Sequence, residues 1–479
     1  MVQICKEPRK EDMINELDRQ AIKAGSWYII SNVVAKGILV SFTPIFSRLL
    51  SKEAFGEYSN FLSWLHILTI ICTFNLSSTI LRANLDYKTK KSYNTYVFSI
   101  MIFSTILPVL VSSMFFLIKD IFLISLNMSD NLLIYLFIMT AFSSQIQSFQ
   151  AKERAYLRYR DVSIITILYA ITSILFPFIM TFFSGDSLKN ILLGMTLNAF
   201  LWGGGLLLRE YAQERESVNL KCINYALNLG LPLVPHTLAS IIMGNSDKIM
   251  IMSICGAEAA AMYSVSYTCS LAITLLRNSS GYAWSSWFYN TFNNGDLVAI
   301  RKVSSLFIII GAIGILIICF LSPEIILLLG GERYYESRYL MPMIMLGCFY
   351  DFLNLFYIDI EFYYKKVRMI SVITISAGII NVLLNYYGII WFGYIAAPFT
   401  TAIVNGGIVF SHYMITRKYN NWIIFDNKIF LGSAILITII SLNLHHIYNL
   451  IVPRYSIVGI LLVGLMLLIK NVYSTIFCP

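Results

Sequence analysis

The sequence is poor in charge: Asp, Glu, Lys and Arg make up 13% of its 479 residues, whereas soluble globular domains carry about 25%. Hydrophobic residues make up 57%, and a water-soluble fold could not bury that much apolar surface. This share is enough for roughly 13 or 14 membrane spans of about 20 residues each. The composition therefore excludes a soluble protein and indicates a polytopic membrane protein.

Three further absences narrow the functional classes. The eight cysteines are scattered, with no CxxC pair and no Cys/His cluster, so we expect no disulfide framework, no metal site and no cofactor. Lys and Arg outnumber Asp and Glu by 35 to 26, but they lie in short segments between apolar runs. A nucleic-acid partner would require them on one soluble face, and none is expected. The polar first 24 residues show no cleavable signal peptide.

Apolar runs between polar breaks predict about fourteen transmembrane helices. In lipid, a helix satisfies all of its backbone hydrogen bonds within one segment, so these runs are helices rather than strands. The predicted spans 1 to 14 lie near residues 25–46, 59–81, 95–118, 131–150, 162–183, 188–208, 225–245, 258–286, 303–329, 339–362, 369–390, 393–415, 427–447 and 453–473. The predicted fold class is an all-α polytopic membrane protein.

The distribution of Lys and Arg orients these spans. With the amino terminus in the cytoplasm, 25 of the 35 basic residues fall on the cytoplasmic side and eight on the opposite side. The remaining two, Lys36 and Arg277, lie inside spans. Such a bias is typical of the cytoplasmic side of a membrane protein. It predicts a multi-pass membrane protein with both termini in the cytoplasm.

The loops between the spans are too short for a soluble catalytic domain. We therefore expect no enzyme. A membrane glycan polymerase or glycosyltransferase is a remote alternative, because it would need paired carboxylates or an Arg/His-rich external loop.

Two pairs of segments repeat at nearly one offset. The segment SKEAFGEYS at 51–59 is echoed by GAEAAAMYS at 256–264, where Glu, Ala, Tyr and Ser coincide. Glu, Tyr, a basic pair and Ser at 153–163 return at 361–371. An even number of spans per copy predicts a parallel repeat of two six-span lobes. The predicted organisation is an arm at 1–24, an N-lobe at 25–208, a linker at 209–224, a C-lobe at 225–415 and a two-span appendix at 416–479.

The same motifs carry a family resemblance. The segment SRLLSKEAFGEY at 47–58, and NSDKIMI at 245–251 followed by Gly256 and Tyr263, resemble the signatures of Wzx-type O-antigen flippases. These belong to the multidrug/oligosaccharidyl-lipid/polysaccharide (MOP) exporter superfamily. The resemblance covers roughly residues 25–415.

This resemblance implies two lobes around a central cavity, as in the MATE transporters. It also implies that an undecaprenyl-diphosphate-linked oligosaccharide moves from the cytoplasmic to the periplasmic leaflet by alternating access. Expected partners are this substrate, membrane lipids, H⁺ or Na⁺, and other glycan-assembly membrane proteins. Many members have twelve spans. Spans 13 and 14 could form a lipid groove, as in the related peptidoglycan-precursor flippases, or simply pack against one lobe.

Two cations lie deep in the predicted spans, where a basic side chain costs about 2.5–3.5 kcal/mol. Lys36 and Arg277 each lie on a polar stripe of an otherwise apolar helix. We expect both to line a watery cavity and attract the substrate's diphosphate; a buried ion pair or a snorkelling side chain is the alternative. The stripe of Lys36 holds Asn32, Thr43 and Ser47, and that of Arg277 holds Tyr263, Ser266, Ser270, Gly281 and Trp284.

Further candidates lie at span ends and among the acidic residues. The cations Arg48, Arg82 and Lys248 could contact substrate or act as orientation anchors. Below a break at Gly230, Pro232 and Pro235, span 7 carries further polar residues. The candidates for H⁺ or Na⁺ coupling are His236, Asp247 and Asp351, the last of which could instead pair with Arg277.

A drug or cation antiporter of the same superfamily is the main alternative. Such a protein needs acidic groups in its lumen to attract cationic cargo. The two basic residues inside spans favour an anionic cargo instead.

Overall fold

The computed structural model describes residues 27, 30, 31, 33–38, 40–118, 126, 128–183, 187–214, 218–418 and 424–477. These residues form helices and no strand, which confirms the all-helical fold class. Ten helical segments in this part of the chain are long and apolar enough to cross a membrane, or eleven if one bent pair forms a single span. The count of fourteen stays a prediction.

The chain divides into two compact units, Met1–Leu39 with Leu68–Val234, and Val40–Ile67 with Pro235–Pro479. The boundaries of these units lie at other residues than those of the predicted lobes, 25–208 and 225–415. The difference arises because the beginning of span 2 packs with the second unit, through a contact between repeated motifs given below.

The first unit holds the end of α2 and the helices α3 to α8. Its core is built from Leu76, Ile80, Tyr96 and Phe149. The buried ion pair of Lys152 Nζ with Glu210 Oε2, 2.5 Å apart, joins α5 to α7. The helix bounds are α2 Lys52–Thr73, α3 Ile80–Asp86, α4 Lys90–Ile118, α5 Asp130–Ala155, α6 Tyr159–Met180, α7 Ser187–Glu214 and α8 Leu220–Gly230.

The second unit holds α1, the beginning of α2 and all helices from α9 onward. The bounds are α1 Phe42–Leu49, α9 Val234–Cys255, α10 Ala257–Asn293, α11 Leu297–Phe320, α12 Ser322–Gly330, α13 Met341–Tyr363, α14 Val367–Phe392, α15 Ala396–Arg417, α16 Asn427–Asn443 and α17 Ile451–Phe477. Helices α16 and α17 pack against this unit. Arg454 of α17 binds Glu324 of α12 through two contacts of 2.8 and 2.5 Å.

Span 2 is bent, which the sequence pattern did not predict. Helix α2 ends at Thr73, and Phe74 and Asn75 adopt left-handed backbone angles with φ of 49° and 51°. A 3₁₀ turn then leads into α3, and the two segments meet at 58°. Asn tolerates this conformation, whereas Phe adopts it only where the surroundings hold it. The prediction of one continuous helix over 59–81 is therefore wrong.

Span 7 breaks where its glycine and prolines predict. Helix α8 ends at Gly230, a 3₁₀ turn covers Leu231–Leu233, and α9 begins at Val234. The boundary between the two units falls beside this break, after Val234. Proline removes a backbone donor and its ring clashes with the preceding turn, which explains the interruption.

The first repeated motif contacts its own copy. Ser59 Oγ lies 2.5 Å from Ser264 Oγ, and the Glu53 and Glu258 side chains also meet. A Cβ added to Gly56 would lie 1.9 Å from the carbonyl oxygen of Ala257, so only glycine permits this approach. We call this junction between α2 and α10 the repeat contact.

The second repeated motif folds identically in its two copies. Leu157 and Lys365, at equivalent positions, adopt left-handed φ angles of 55° and 57°. In each copy the next amide donates to the carbonyl of the repeated glutamate, over 2.9 Å for Glu153 and 2.8 Å for Glu361. The predicted repeat is thus present in the backbone as well as in the sequence.

Candidate functional site

Arg277 of α10 binds Asp351 of α13. The guanidinium Nε lies 3.1 Å from Asp351 Oδ2 and donates over 3.1 Å to its backbone carbonyl. The two side chains are 23% and 42% exposed. The sequence left open whether Asp351 binds an ion or Arg277, and the structure shows the ion pair. Because both groups keep exposed surface, the pair stays accessible.

Two clefts of the second unit meet at this pair. The apolar cleft has a volume of about 370 Å³ and is lined by Arg277, Gly311, Phe352 and Leu465, among other residues of α10, α11, α13 and α17. The polar cleft, of about 100 Å³, includes Asp351. Its other polar lining residues are Tyr263, Tyr267, Ser270, Thr274, Thr401 and Asn405. The ion pair therefore separates an apolar space from a space lined by hydroxyl and amide groups.

Asp247 forms a buried polar network. Its side chain is 1% exposed and accepts hydrogen bonds from Tyr263 Oη at 2.5 Å, Asn385 Nδ2 at 2.6 Å and Thr401 Oγ1 at 3.0 Å. The side chain of Asn381 contacts Asn385 at 3.1 Å. Three helices, α10, α14 and α15, thus each supply a hydrogen-bond donor to the Asp247 carboxylate of α9. No group of three or more His, Cys, Asp or Glu side chains that could hold a metal ion occurs in the described ranges.

The predicted stripe around Lys36 is only partly described. Lys36 lies half-buried in the first unit, within the helical residues 33–38. Thr43, in the second unit, lies 3.2 Å from Thr268 through their Oγ1 atoms. Asn32 lies outside the described residues.

Two members of the Arg277 stripe do not line a cleft. Trp284 is 1% exposed and packs against Phe288 and Phe356, the latter with ring centroids 4.8 Å away. Ser266 is fully buried and donates to the Ser337 carbonyl at 2.7 Å. The prediction of a cavity-lining role is wrong for both. Residues on the same face of a helix can differ in exposure, because neighbouring elements cover that face along only part of its length. Ser270 does line the polar cleft.

Arg48 and Arg82 make local contacts at helix ends. Arg48 Nη2 donates to the Leu328 carbonyl at 3.1 Å, and exposed Arg82 binds Asp86 at 3.0 Å, one helical turn away. Both arrangements match the anchoring alternative rather than a substrate site. His236 is half-buried, and its Nδ1 atom has no hydrogen-bond partner within the described part of the chain.

The sequence pattern missed a polar group next to Lys248. His66 of α2 is exposed, and its Nδ1 lies 3.3 Å from Asn245 Oδ1. Lys248 Nζ lies 4.6 Å from the ring centroid of Tyr267. His66 is a polar residue inside the apolar run of span 2, and such a residue is itself a sequence signal for a functional site.

Comparisons with known proteins agree with this architecture. The family model for polysaccharide biosynthesis proteins matches residues 21–285. A protein of the Lsg locus of Haemophilus influenzae is 20% identical over 371 residues, covering 74% of this chain and 88% of its own length.

Two solved structures share the fold. The lipid II flippase MurJ in an inward closed conformation has 13% identity and a TM-score of 0.59, covering 92% of this chain and 100% of its own. An inward-facing multidrug resistance MATE transporter of the MOP superfamily has 13% identity and a TM-score of 0.60, covering 82% and 94%. Because the family model covers more than half of its residues, the chain belongs to the polysaccharide biosynthesis protein family.

Proposed function

We propose that this protein flips an undecaprenyl-diphosphate-linked oligosaccharide, of the O-antigen repeat-unit kind, from the cytoplasmic to the periplasmic leaflet of the bacterial inner membrane. Both termini lie in the cytoplasm in this proposal. The protein makes and breaks no covalent bond, and it works by alternating access. The family match and the relatedness to a lipid II flippase support this class of cargo.

The position of Arg277 carries the proposal. Its guanidinium lies at the wall of the apolar cleft, and its partner Asp351 lies in the polar cleft. A lipid-linked glycan has the same order of parts: an apolar tail, an anionic diphosphate and a polar sugar chain. Arginine offers five donors in a fixed fork that matches phosphate oxygens. The diphosphate would therefore bind at the guanidinium of Arg277.

A cationic drug is a poorer match. An antiporter of such drugs needs a negative lumen, but the carboxylate of Asp351 in the polar cleft is paired with Arg277. Asp247, a buried carboxylate, is 1% exposed and already accepts three hydrogen bonds. Both carboxylates thus already have partners, which weakens the attraction for a cationic drug.

Ion coupling completes the proposal. A monovalent cation, Na⁺ or H⁺, binds Asp247 and supplies direction to transport. In this proposal the Asn385 and Thr401 side chains, which now donate to the carboxylate, turn their oxygens to the ion, and Asn381 Oδ1, which now accepts from Asn385, becomes available. Ionisable residues inside a membrane commonly mark such ion sites.

Replacing Arg277 tests the substrate contact. In cells that lack their own flippase, Arg277→Ala should lower surface glycan at least tenfold at equal membrane abundance, because a charge-assisted hydrogen bond contributes about 1.5–3 kcal/mol. Arg277→Lys should retain part of the export, since a point charge still attracts phosphate. The readout is surface glycan per unit of membrane protein.

Arg368→Ala is the matched control, because Arg368 is exposed at the start of α14. It removes the same charge away from both clefts and should leave export unchanged. Normal export by Arg277→Ala at normal abundance would contradict the proposed contact.

A further inference from the structure

Lys248, a cation of the second unit, has an aromatic ring as its nearest described partner, while the neighbouring Asp247 acts on it only electrostatically. Lys248 Nζ lies 4.6 Å above the Tyr267 ring, and the ring attracts an ammonium without neutralising it. Within the described residues no carboxylate oxygen lies within 4.0 Å of this nitrogen. The neighbouring Asp247 uses its oxygens on Tyr263, Asn385 and Thr401.

The Tyr267 ring holds Lys248 in place and is itself held. Its other neighbour is Tyr263, stacked with ring centroids 5.7 Å apart. The Tyr267 hydroxyl oxygen lies 3.7 Å from where a Cβ of Gly244 would be. The tyrosine therefore runs along α9 from Gly244 to Lys248, and it fixes the ammonium in one direction.

His66 approaches the same position from α2. Asn245 Nδ2 donates to the Ile241 carbonyl at 2.9 Å, so its Oδ1 is an acceptor and takes the proton of His66 Nδ1 at 3.3 Å. His66 Nε2 is then the remaining polar atom of the ring. His66 and Lys248 lie close enough to interact electrostatically, and His66 is exposed.

These groups lie beyond the reach of a diphosphate bound at Arg277. Tyr267 and Arg277 share α10 and are ten residues apart, which is about 15 Å at 1.5 Å per residue. The polar cleft, lined by Tyr267, Ser270 and Asp351, runs along this stretch of α10. Lys248 does not line this cleft but lies against Tyr267, which does. A glycan extending from Arg277 towards Tyr267 would therefore bring its sugars, and not its phosphates, near Lys248.

We propose that Lys248 and His66 form a subsite for an acidic sugar, whose carboxylate binds the Lys248 ammonium while His66 Nε2 contacts the same sugar. The subsite rests on the proposed function and adds the substrate class: glycans with a carboxylate-bearing residue near the lipid-linked end. Tyr267 holds Lys248, and Asn245 holds His66, before the sugar binds. Little side-chain entropy is therefore lost on binding.

The test compares two cargoes that differ in one group. Flippase-deficient cells make one lipid-diphosphate-linked repeat unit that ends in a uronic acid, or its neutral hexose counterpart. Lys248→Met should reduce export of the acidic glycan about tenfold, the effect of one charge-assisted hydrogen bond, and change export of the neutral glycan less than twofold. Lys248→Arg should restore acidic export, and His66→Gln should lower it by a smaller factor.

Lys221→Met, at an exposed position near the start of α8, is the charge-matched control and should affect neither cargo. Membrane abundance is measured for each variant. An equal loss of both cargoes in Lys248→Met would show that Lys248 binds the diphosphate, and no loss of either would show that it binds no cargo; each result overturns the subsite. Export of neither cargo by the unaltered protein would overturn the proposed function itself, and the subsite with it.

Discussion

At the residue scale, Arg277, Asp247 and Asp351 of the second unit have polar partners, whereas Trp284 packs in an aromatic core. The cost of burying a charge singled out Arg277, Asp247 and Asp351, and all three lie in polar surroundings of the second unit. The same helical wheel placed Trp284 beside Arg277, although it belongs to an aromatic core. A wheel gives the direction of a side chain, but only the packing of other elements decides whether water reaches it.

Asp247→Asn should abolish the cation dependence of transport. The amide is isosteric, but it removes the negative charge that a bound cation balances. It also turns a donor toward Asn385 Nδ2, which now donates to the carboxylate at 2.6 Å. The measurement is export with sodium replaced by choline at constant pH, and export across a range of external pH.

Asp161→Asn is the control, because Asp161 is exposed at the start of α6. It should keep the ion response of the unaltered protein. An unchanged ion and pH response in Asp247→Asn would remove Asp247 from the coupling proposal.

At the element scale, the sequence predicted where helices lie better than where they bend. The prolines and glycine of span 7 predicted its break, because proline cannot continue a helix ladder. The bend of span 2 follows no such residue; Phe74 and Asn75 take left-handed angles, while Tyr96 Oη lies 2.5 Å from Thr79 Oγ1 in the turn that follows. A bend held by tertiary contacts leaves no local sequence signal.

The repeat contact between α2 and α10 should open and close during transport. Ser59 Oγ and Ser264 Oγ are 2.5 Å apart, so the double variant Ser59→Cys/Ser264→Cys should form a disulfide under mild oxidation. The crosslink should stop glycan export, and a reductant should restore it. Export and crosslinked fraction are measured in the same membranes.

The two single variants are the controls, and each should export normally under oxidant. Full export by a completely crosslinked double variant would show that α2 and α10 stay together throughout the cycle.

At the scale of the whole molecule, the repeat and the family resemblance predicted the architecture, and the boundaries of the compact units escaped prediction. Both copies of the second motif use the same left-handed turn, at Leu157 and Lys365, so the backbone repeats at this motif as the sequence does. The boundaries of the two units fall inside spans 1, 2 and 7. No change in composition marks these positions, so the sequence does not reveal them.

The last predicted span contributes a residue to the apolar cleft. Leu465 of α17 lines the apolar cleft beside Arg277, so Leu465→Trp should fill that cleft and lower glycan export severalfold. Val463 on the same helix is 58% exposed, and Val463→Trp adds the same ring outside the cleft. It should leave export unchanged, as judged by surface glycan at equal abundance. Equal effects of both variants would contradict a role of the cleft in holding the lipid tail.

Reconstitution of the purified protein tests the central claim most directly. Vesicles containing a polyprenyl-diphosphate-linked oligosaccharide are treated with a glycosidase that reaches only the outer leaflet, and the protected fraction is followed with time. The account predicts that the protein makes inner-leaflet glycan accessible, that Arg277→Ala slows this at least tenfold, and that a cationic dye is not moved. A protected fraction equal to that of empty vesicles, or movement of the dye in place of the glycan, would contradict it.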